Sequence, residues 1–170
     1  MVTGAKTLSI AVSLYENEYA ITIPAYGHER RGAPVFTDMV IDTQPILQNC
    51  FVYKPDIVVV LDETIIHKQV DVGKGTNPDT VLVLNAASSE VAQQYKELYS
   101  FKDVYYVDAT SVAVETIGRG IPNGAMLGAI AKTGIVKLDS VKAALNETFG
   151  KAGEMNANAA QQAYDKTRKA

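Results

Sequence analysis

Asp56 to Leu61 reads DIVVVL, and Thr80 to Leu84 reads TVLVL. Each is a short valine-rich run with no polar alternation, bounded by Pro, Asn or Asp, which is the pattern of a strand covered on both faces. A third run, VYYV at Val104 to Val107, precedes Asp108, a carboxylate suited to cap a following helix. Around these runs, apolar residues recur at helical spacing in Ala5 to Leu14, Ser89 to Leu98, Ser111 to Ile117, Ala125 to Ala131 and Ser140 to Phe149, the last with Asp139 as its expected cap. Glu18 to Ile23 and Val35 to Ile41 read as two further strands with a polar, glycine-containing connection between them. Strands interleaved with helices of this length indicate an α/β fold, a three-layer α/β/α arrangement with a largely parallel sheet in a single domain spanning 1–170. Residues 151–170 carry only Met155 and Tyr164 as large apolar groups and read as a helical tail at the surface, docked on a partner or frayed.

The chain has 170 residues, enough to bury a sizeable core as one domain. With 47% hydrophobic and 21% charged residues it has the composition of a folded globular protein. A formal charge of -3 and the lack of a basic run argue against a nucleic-acid partner. No apolar stretch is long enough to cross a membrane and no leader is recognisable, so no membrane partner and a cytoplasmic location are expected. Cys50 is the single cysteine, so this chain alone offers neither an intrachain disulfide nor the roughly four thiolates of an iron-sulfur cluster. It reads as a small core residue. His28 and His67, the two imidazoles, have no carboxylate or hydroxyl at a recognisable spacing, so neither a catalytic triad nor a metal site is expected.

The most informative segment is IPAYGHERRGAPV, Ile23 to Val35, where an aromatic, a glycine, an acid and paired arginines sit between two extended runs. It resembles the motif of gamma subunits of pyruvate:ferredoxin oxidoreductase, through Tyr26, Gly27, Glu29, Arg30, Arg31, Gly32, Ala33, Pro34 and Val35. Further similarity follows in KPDIVVVLDETI at Lys54 to Ile65, in the strand Thr80 to Asn85, in DAT at Asp108 to Thr110 and in IPNGAMLGAIAKTG at Ile121 to Gly134. The resemblance implies a gamma subunit of a multisubunit pyruvate (2-oxoacid):ferredoxin oxidoreductase, an enzyme as a complex but not as this chain alone. Thiamine diphosphate, Mg, 4Fe-4S clusters and coenzyme A are then expected on alpha, beta and delta-type partner subunits, with electrons leaving through the complex to ferredoxin. Two other readings stay open: a free-standing α/β ligand- or nucleotide-binding module, and a subunit acting on an aryl-2-oxoacid such as indolepyruvate or phenylglyoxylate. One departure stands out. The family pattern opens with a strand and a glycine-rich turn, whereas this chain opens Met1-Val2-Thr3-Gly4-Ala5-Lys6, as if it began just after that turn. An exposed sheet edge is therefore expected, and any anion-binding role of the turn is not carried over.

The candidate site residues are Tyr26, Glu29, Arg30, Arg31, Asp62 and Asn123, expected at a subunit interface or against substrate or coenzyme A; no catalytic residue is expected on this chain. The fork of donors on arginine suits phosphate and carboxylate. In an extended segment, though, Arg30 and Arg31 face opposite ways and serve different partners. Asp62 follows a buried strand at the end where open α/β sheets bind ligands, and is equally suited to cap a turn. Asn123 stands at a helix entry, a place suited either to an anion or to capping. DVGKGTN at Asp71 to Asn77 lacks the glycine spacing of a phosphate loop and reads as a tight turn.

Overall fold

The computed structural model describes residues 2–25, 34–68 and 70–170. Helix α1 (Val2–Tyr15) buries Thr7, Leu8, Ala11 and Val12, one face at helical spacing. It ends at a turn where Asn17 takes a left-handed conformation (φ 58°), which asparagine tolerates better than branched residues. The chain then makes an antiparallel pair, β1 (Tyr19–Ala25) with β2 (Phe36–Asp42), in a register that sets Tyr19 opposite Asp42 and Ala25 opposite Phe36. Ala20, Met39 and Ile41 pack inward toward α1, and the Ser9 and Thr22 hydroxyls hydrogen bond at 2.6 Å. Because side chains alternate along a strand, Tyr19, Ile21, Ile23, Phe36, Asp38 and Val40 occupy the other face.

The second sheet has the order β3-β4-β5-β6. Strands β3 (Ile57–Val60), β4 (Val81–Asn85) and β5 (Asp103–Val107) are parallel, and β6 (Arg168–Lys169) is a short antiparallel edge on β5. Ile57, Val59, Val83, Tyr105 and Val107 belong to the core shared with α1, α3 (Ala109–Ile117), α4 (Asn123–Ala131), α5 (Leu138–Phe149) and α6 (Gly153–Lys166). Val58, Val60, Leu82, Leu84 and Val104 face the opposite way, against α2 (Ser89–Leu98) and the 3-10 helix at Glu63–Lys68. The valine-rich runs are thus covered on both faces, and the three-layer α/β/α expectation holds. The paired strands β1 and β2 stand apart from it as a separate sheet. Among the described residues no strand pairs with the outer edge of β3.

Three local expectations differ from the structure. Helix α5 begins at Leu138 with Lys137 in the capping position, so Asp139 is not the cap but lies in the first turn, where its charge complements the helix dipole. Cys50 is exposed, because the segment between β2 and β3 runs over the surface instead of entering the core. The tail is α6, and its face of Ala157, Ala159, Ala160 and Ala163 is buried inside the chain's own core. Small residues make this possible: a Cβ at Gly128 of α4 would overlap the Ala160 carbonyl, so the two backbones meet with almost nothing between them. A search for large apolar side chains does not detect a helix buried this way.

Candidate functional site

The C-terminal ends of β3, β4 and β5 converge on a cluster of polar side chains. Asn85, at the end of β4, is buried. Its amide nitrogen donates to the Leu61 carbonyl and to the Thr110 hydroxyl, each at 2.9 Å, while its amide oxygen accepts from the Ala109 backbone N–H at 2.9 Å. One side chain therefore ties the end of β3 to the start of α3. At the end of β5, Asp108 caps α3 by accepting from the Ser111 backbone N–H at 2.8 Å and from the Ser111 hydroxyl at 2.7 Å. The helix closes at Gly118 in a left-handed cap (φ 73°).

Asp62 follows β3. One carboxylate oxygen accepts from the Thr64 backbone N–H at 3.0 Å and the Thr64 hydroxyl at 2.7 Å; the other receives Lys68 Nζ at 2.8 Å. Hydrogen bonding to Lys68 first, and to Thr64 second, lowers the Asp62 pKa to about 2. The adjacent Glu63 accepts from the Ala87 N–H at 3.3 Å, and its carbonyl accepts from the hydroxyl of buried Tyr95 at 2.9 Å. Each of these carboxylates accepts a hydrogen bond from local donors, and that of Asp62 is also ion-paired with Lys68. Asp71 and Gly73 set up the turn at Asp71 to Asn77, with the Asp71 carboxylate accepting from the Gly73 N–H at 3.0 Å.

Asn123 is the first residue of α4, with no side-chain cap at the preceding Pro122. Its carbonyl lies beside Gly4 at the start of α1, so the N-terminal ends of α1 and α4 approach one another. No hydrogen bond or ion pair among the described residues joins Asn123 to Asp62. Tyr26, Glu29, Arg30, Arg31 and His28 lie outside the described residues; in the sequence they link the end of β1 to the start of β2. His67 lies exposed on the 3-10 helix. Among the described residues no three or more His, Cys, Asp or Glu side chains are grouped as metal ligands, and no helix is long and apolar enough to cross a membrane. The single thiol of Cys50 does not fit an iron-sulfur cluster.

One feature escaped the sequence reading. The outward face of β1 and β2, together with the irregular segment 43–55, presents large apolar groups to solvent: Tyr19 is 46% exposed, Phe36 47%, Leu47 94%, Phe51 49% and Tyr53 76%. The segment crosses this face. Val52 N–H donates to the Asp38 carboxylate at 3.0 Å, and Ile46 lines a groove with Tyr19 and Ile21. Beyond it, a Cβ at left-handed Gly75 would overlap the Tyr53 carbonyl, so only glycine lets the 71–77 turn hold the segment's end in place. The available signal was PILQNCFVY at Pro45 to Tyr53, an apolar run with neither helical nor strand periodicity.

Comparison with known proteins gives a consistent picture. Residues 1–166 match the family described as Pyruvate ferredoxin/flavodoxin oxidoreductase. The chain is 43% identical over 168 residues to the pyruvate/ketoisovalerate oxidoreductases common subunit gamma of Pyrococcus abyssi, covering 98% of this chain and 90% of that one. It is also 43% identical over 170 residues to pyruvate synthase subunit PorC of Methanothermobacter thermautotrophicus, covering 99% and 89%. The crystal structure of pyruvate oxidoreductase subunit PORC from Thermotoga maritima superposes with a TM-score of 0.82 at 28% identity, covering 99% of this chain and 90% of that chain.

Proposed function

Since this chain belongs to the pyruvate ferredoxin/flavodoxin oxidoreductase family as a gamma-type subunit, we propose that it works inside a complex that oxidatively decarboxylates pyruvate. The near full-length match to gamma subunits carries this reading. In it, thiamine diphosphate with its Mg, the 4Fe-4S clusters and the coenzyme A chemistry reside on alpha, beta and delta-type subunits, and ferredoxin accepts the electrons in the cytoplasm. This chain braces those subunits. Its occupied carboxylates and single cysteine fit a supporting part better than a chemical one. The motif Tyr26, Glu29, Arg30 and Arg31, with Asp62 and Asn123, supplies contacts to a neighbouring subunit or to coenzyme A at the entrance of its site.

A second reading has specific support. The Pyrococcus abyssi relative is a common subunit of pyruvate and ketoisovalerate oxidoreductases, so this gamma chain too could be shared between two complexes with different 2-oxoacids. One experiment addresses both: anaerobic purification of the tagged chain from its own cell, followed by coenzyme A-dependent reduction of ferredoxin with pyruvate and with ketoisovalerate. Activity with pyruvate alone supports the first reading, and activity with both, distributed over two sets of copurifying subunits, supports the second. A chain that purifies unaccompanied refutes both. In the assembled complex, an Arg30 or Arg31 that holds substrate or coenzyme A by a charge-assisted hydrogen bond loses about 1.5–3 kcal/mol on replacement by alanine, a roughly 10- to 100-fold effect. A rise in the KM for coenzyme A points to contact with that ligand, and loss of subunits with unchanged KM points to an interface.

A further inference from the structure

From the apolar face formed by β1, β2 and the 43–55 segment, and resting on the gamma-subunit reading above, we infer that this face is the docking surface for a different subunit of the same oxidoreductase, one presenting an apolar patch flanked by lysine or arginine. Three observations carry it.

The first is area. With roughly 200 Å² for a fully exposed large apolar side chain, the open fractions of Tyr19, Phe36, Leu47, Phe51 and Tyr53 leave on the order of 600 Å² of apolar surface in solvent. Monomeric proteins rarely expose more than about 300–600 Å² in one patch, while a stable interface covers about 800 Å² per partner. The half-buried Ile21, Ile23, Val40 and Ile46 on the same face close most of that gap.

The second is continuity and shape. Segment 43–55 has no regular structure of its own, yet it is fastened across the strands by the Val52–Asp38 hydrogen bond, and its end abuts the turn at Gly75. Leu47 and Tyr53 are thereby held outward on a positioned support, as interface anchors are.

The third is charge on the described residues, which favours a foreign subunit over a second copy. Among the described residues, the charged groups on or bordering this face are the carboxylates of Glu18, Asp38 and Asp42, with Lys54 as the cation. A twofold contact between copies sets the same patch against itself and brings these carboxylates together, whereas a partner with cationic margins complements them.

The test uses the full tagged chain expressed with its partner subunits. Leu47→Asp and Tyr53→Asp alter side chains that already face solvent, and Leu98→Asp on α2 is a control of similar character elsewhere. Recovered subunits are identified by intact mass and by bound thiamine and iron, while circular dichroism and melting temperature of each purified chain report its fold. The expected result is at least a tenfold drop in recovery of one identified partner with either variant at unchanged fold, and less than a twofold change with L98D. Raising the salt concentration is expected to weaken the wild-type association further. Full recovery with both L47D and Y53D overturns the inference while leaving the gamma-subunit role intact. So does a dimer of the isolated chain that L47D dissolves without loss of the other subunits. A wild-type chain that recovers no partner at all overturns the role itself.

Discussion

Replacing Gly128 by alanine tests the closest helix crossing in the core. A Cβ at this position would overlap the carbonyl of Ala160, and its distance to the Ala160 Cα would be 2.9 Å. The obstacle is backbone on a buried helix, so no side chain can rotate aside, and α4 and α6 must separate. Overpacking of this kind costs about 1–3 kcal/mol, and the rigid obstacle puts Gly128→Ala near the upper end. Alanine recovers about 1 kcal/mol of that through its better helix propensity. The net is a destabilisation of about 2 kcal/mol, which for a chain of this length lowers the melting temperature by about 4–8 °C. Gly4→Ala on α1 provides the internal comparison. Its nearest foreign atom, the Asn123 carbonyl oxygen, would lie 4.0 Å away, an ordinary contact, so the same substitution is expected to be neutral or to stabilise by up to about 1 kcal/mol. Thermal and urea unfolding of the two variants beside the wild type decide the matter. If G128A melts at or above the wild-type temperature, the close α4–α6 approach is wrong.

Other consequences are more local. Asn85→Ala leaves the Ala109 N–H and the Leu61 carbonyl without their partner at the sheet's C-terminal edge, and is expected to cost about 2–4 kcal/mol in urea unfolding; a loss under 0.5 kcal/mol contradicts the tie described. Asp108→Ala removes the cap of α3 and should cost about 1 kcal/mol, whereas Asp108→Asn should retain most of it. For Asp62 the folded pKa is lowered from 3.8 to about 2, so its contribution is present above about pH 4 and lost as pH falls through about 2. Because that side chain is half exposed, Asp62→Asn should cost no more than about 1 kcal/mol at neutral pH, and the difference from wild type should shrink as pH falls from about 4 and vanish below about 2.

Much of the scaffold was legible from local pattern. The runs at Asp56, Thr80 and Val104 became β3, β4 and β5, and the bounds of α2 at Ser89–Leu98 match the expected ones. Asp108 caps α3 as its position before an apolar periodic run implied. These features depend on neighbours a few residues away: alternation or its absence, helical spacing, and a carboxylate within reach of free backbone N–H groups. The candidate site was less legible. Asp62 could be placed at a strand end, but whether its carboxylate stays free depends on Lys68 and Thr64 folding back upon it.

The motifs were enough to point to the family, and the valine runs, whose apolar character on both faces only a covered sheet can use, to the α/β class. Which small and polar residues are buried, and which large apolar ones are not, follows from how distant parts of the chain pack. Ala157, Ala160 and Ala163 lie in the core because Gly128 lets another helix reach them, and Asn85 is buried because three groups distant in sequence satisfy it. Leu47 and Tyr53 remain in solvent because the segment bearing them crosses the outside of β1 and β2. Hydrophobicity states what a side chain gains from burial, but whether it is buried depends on what the rest of the chain brings to it.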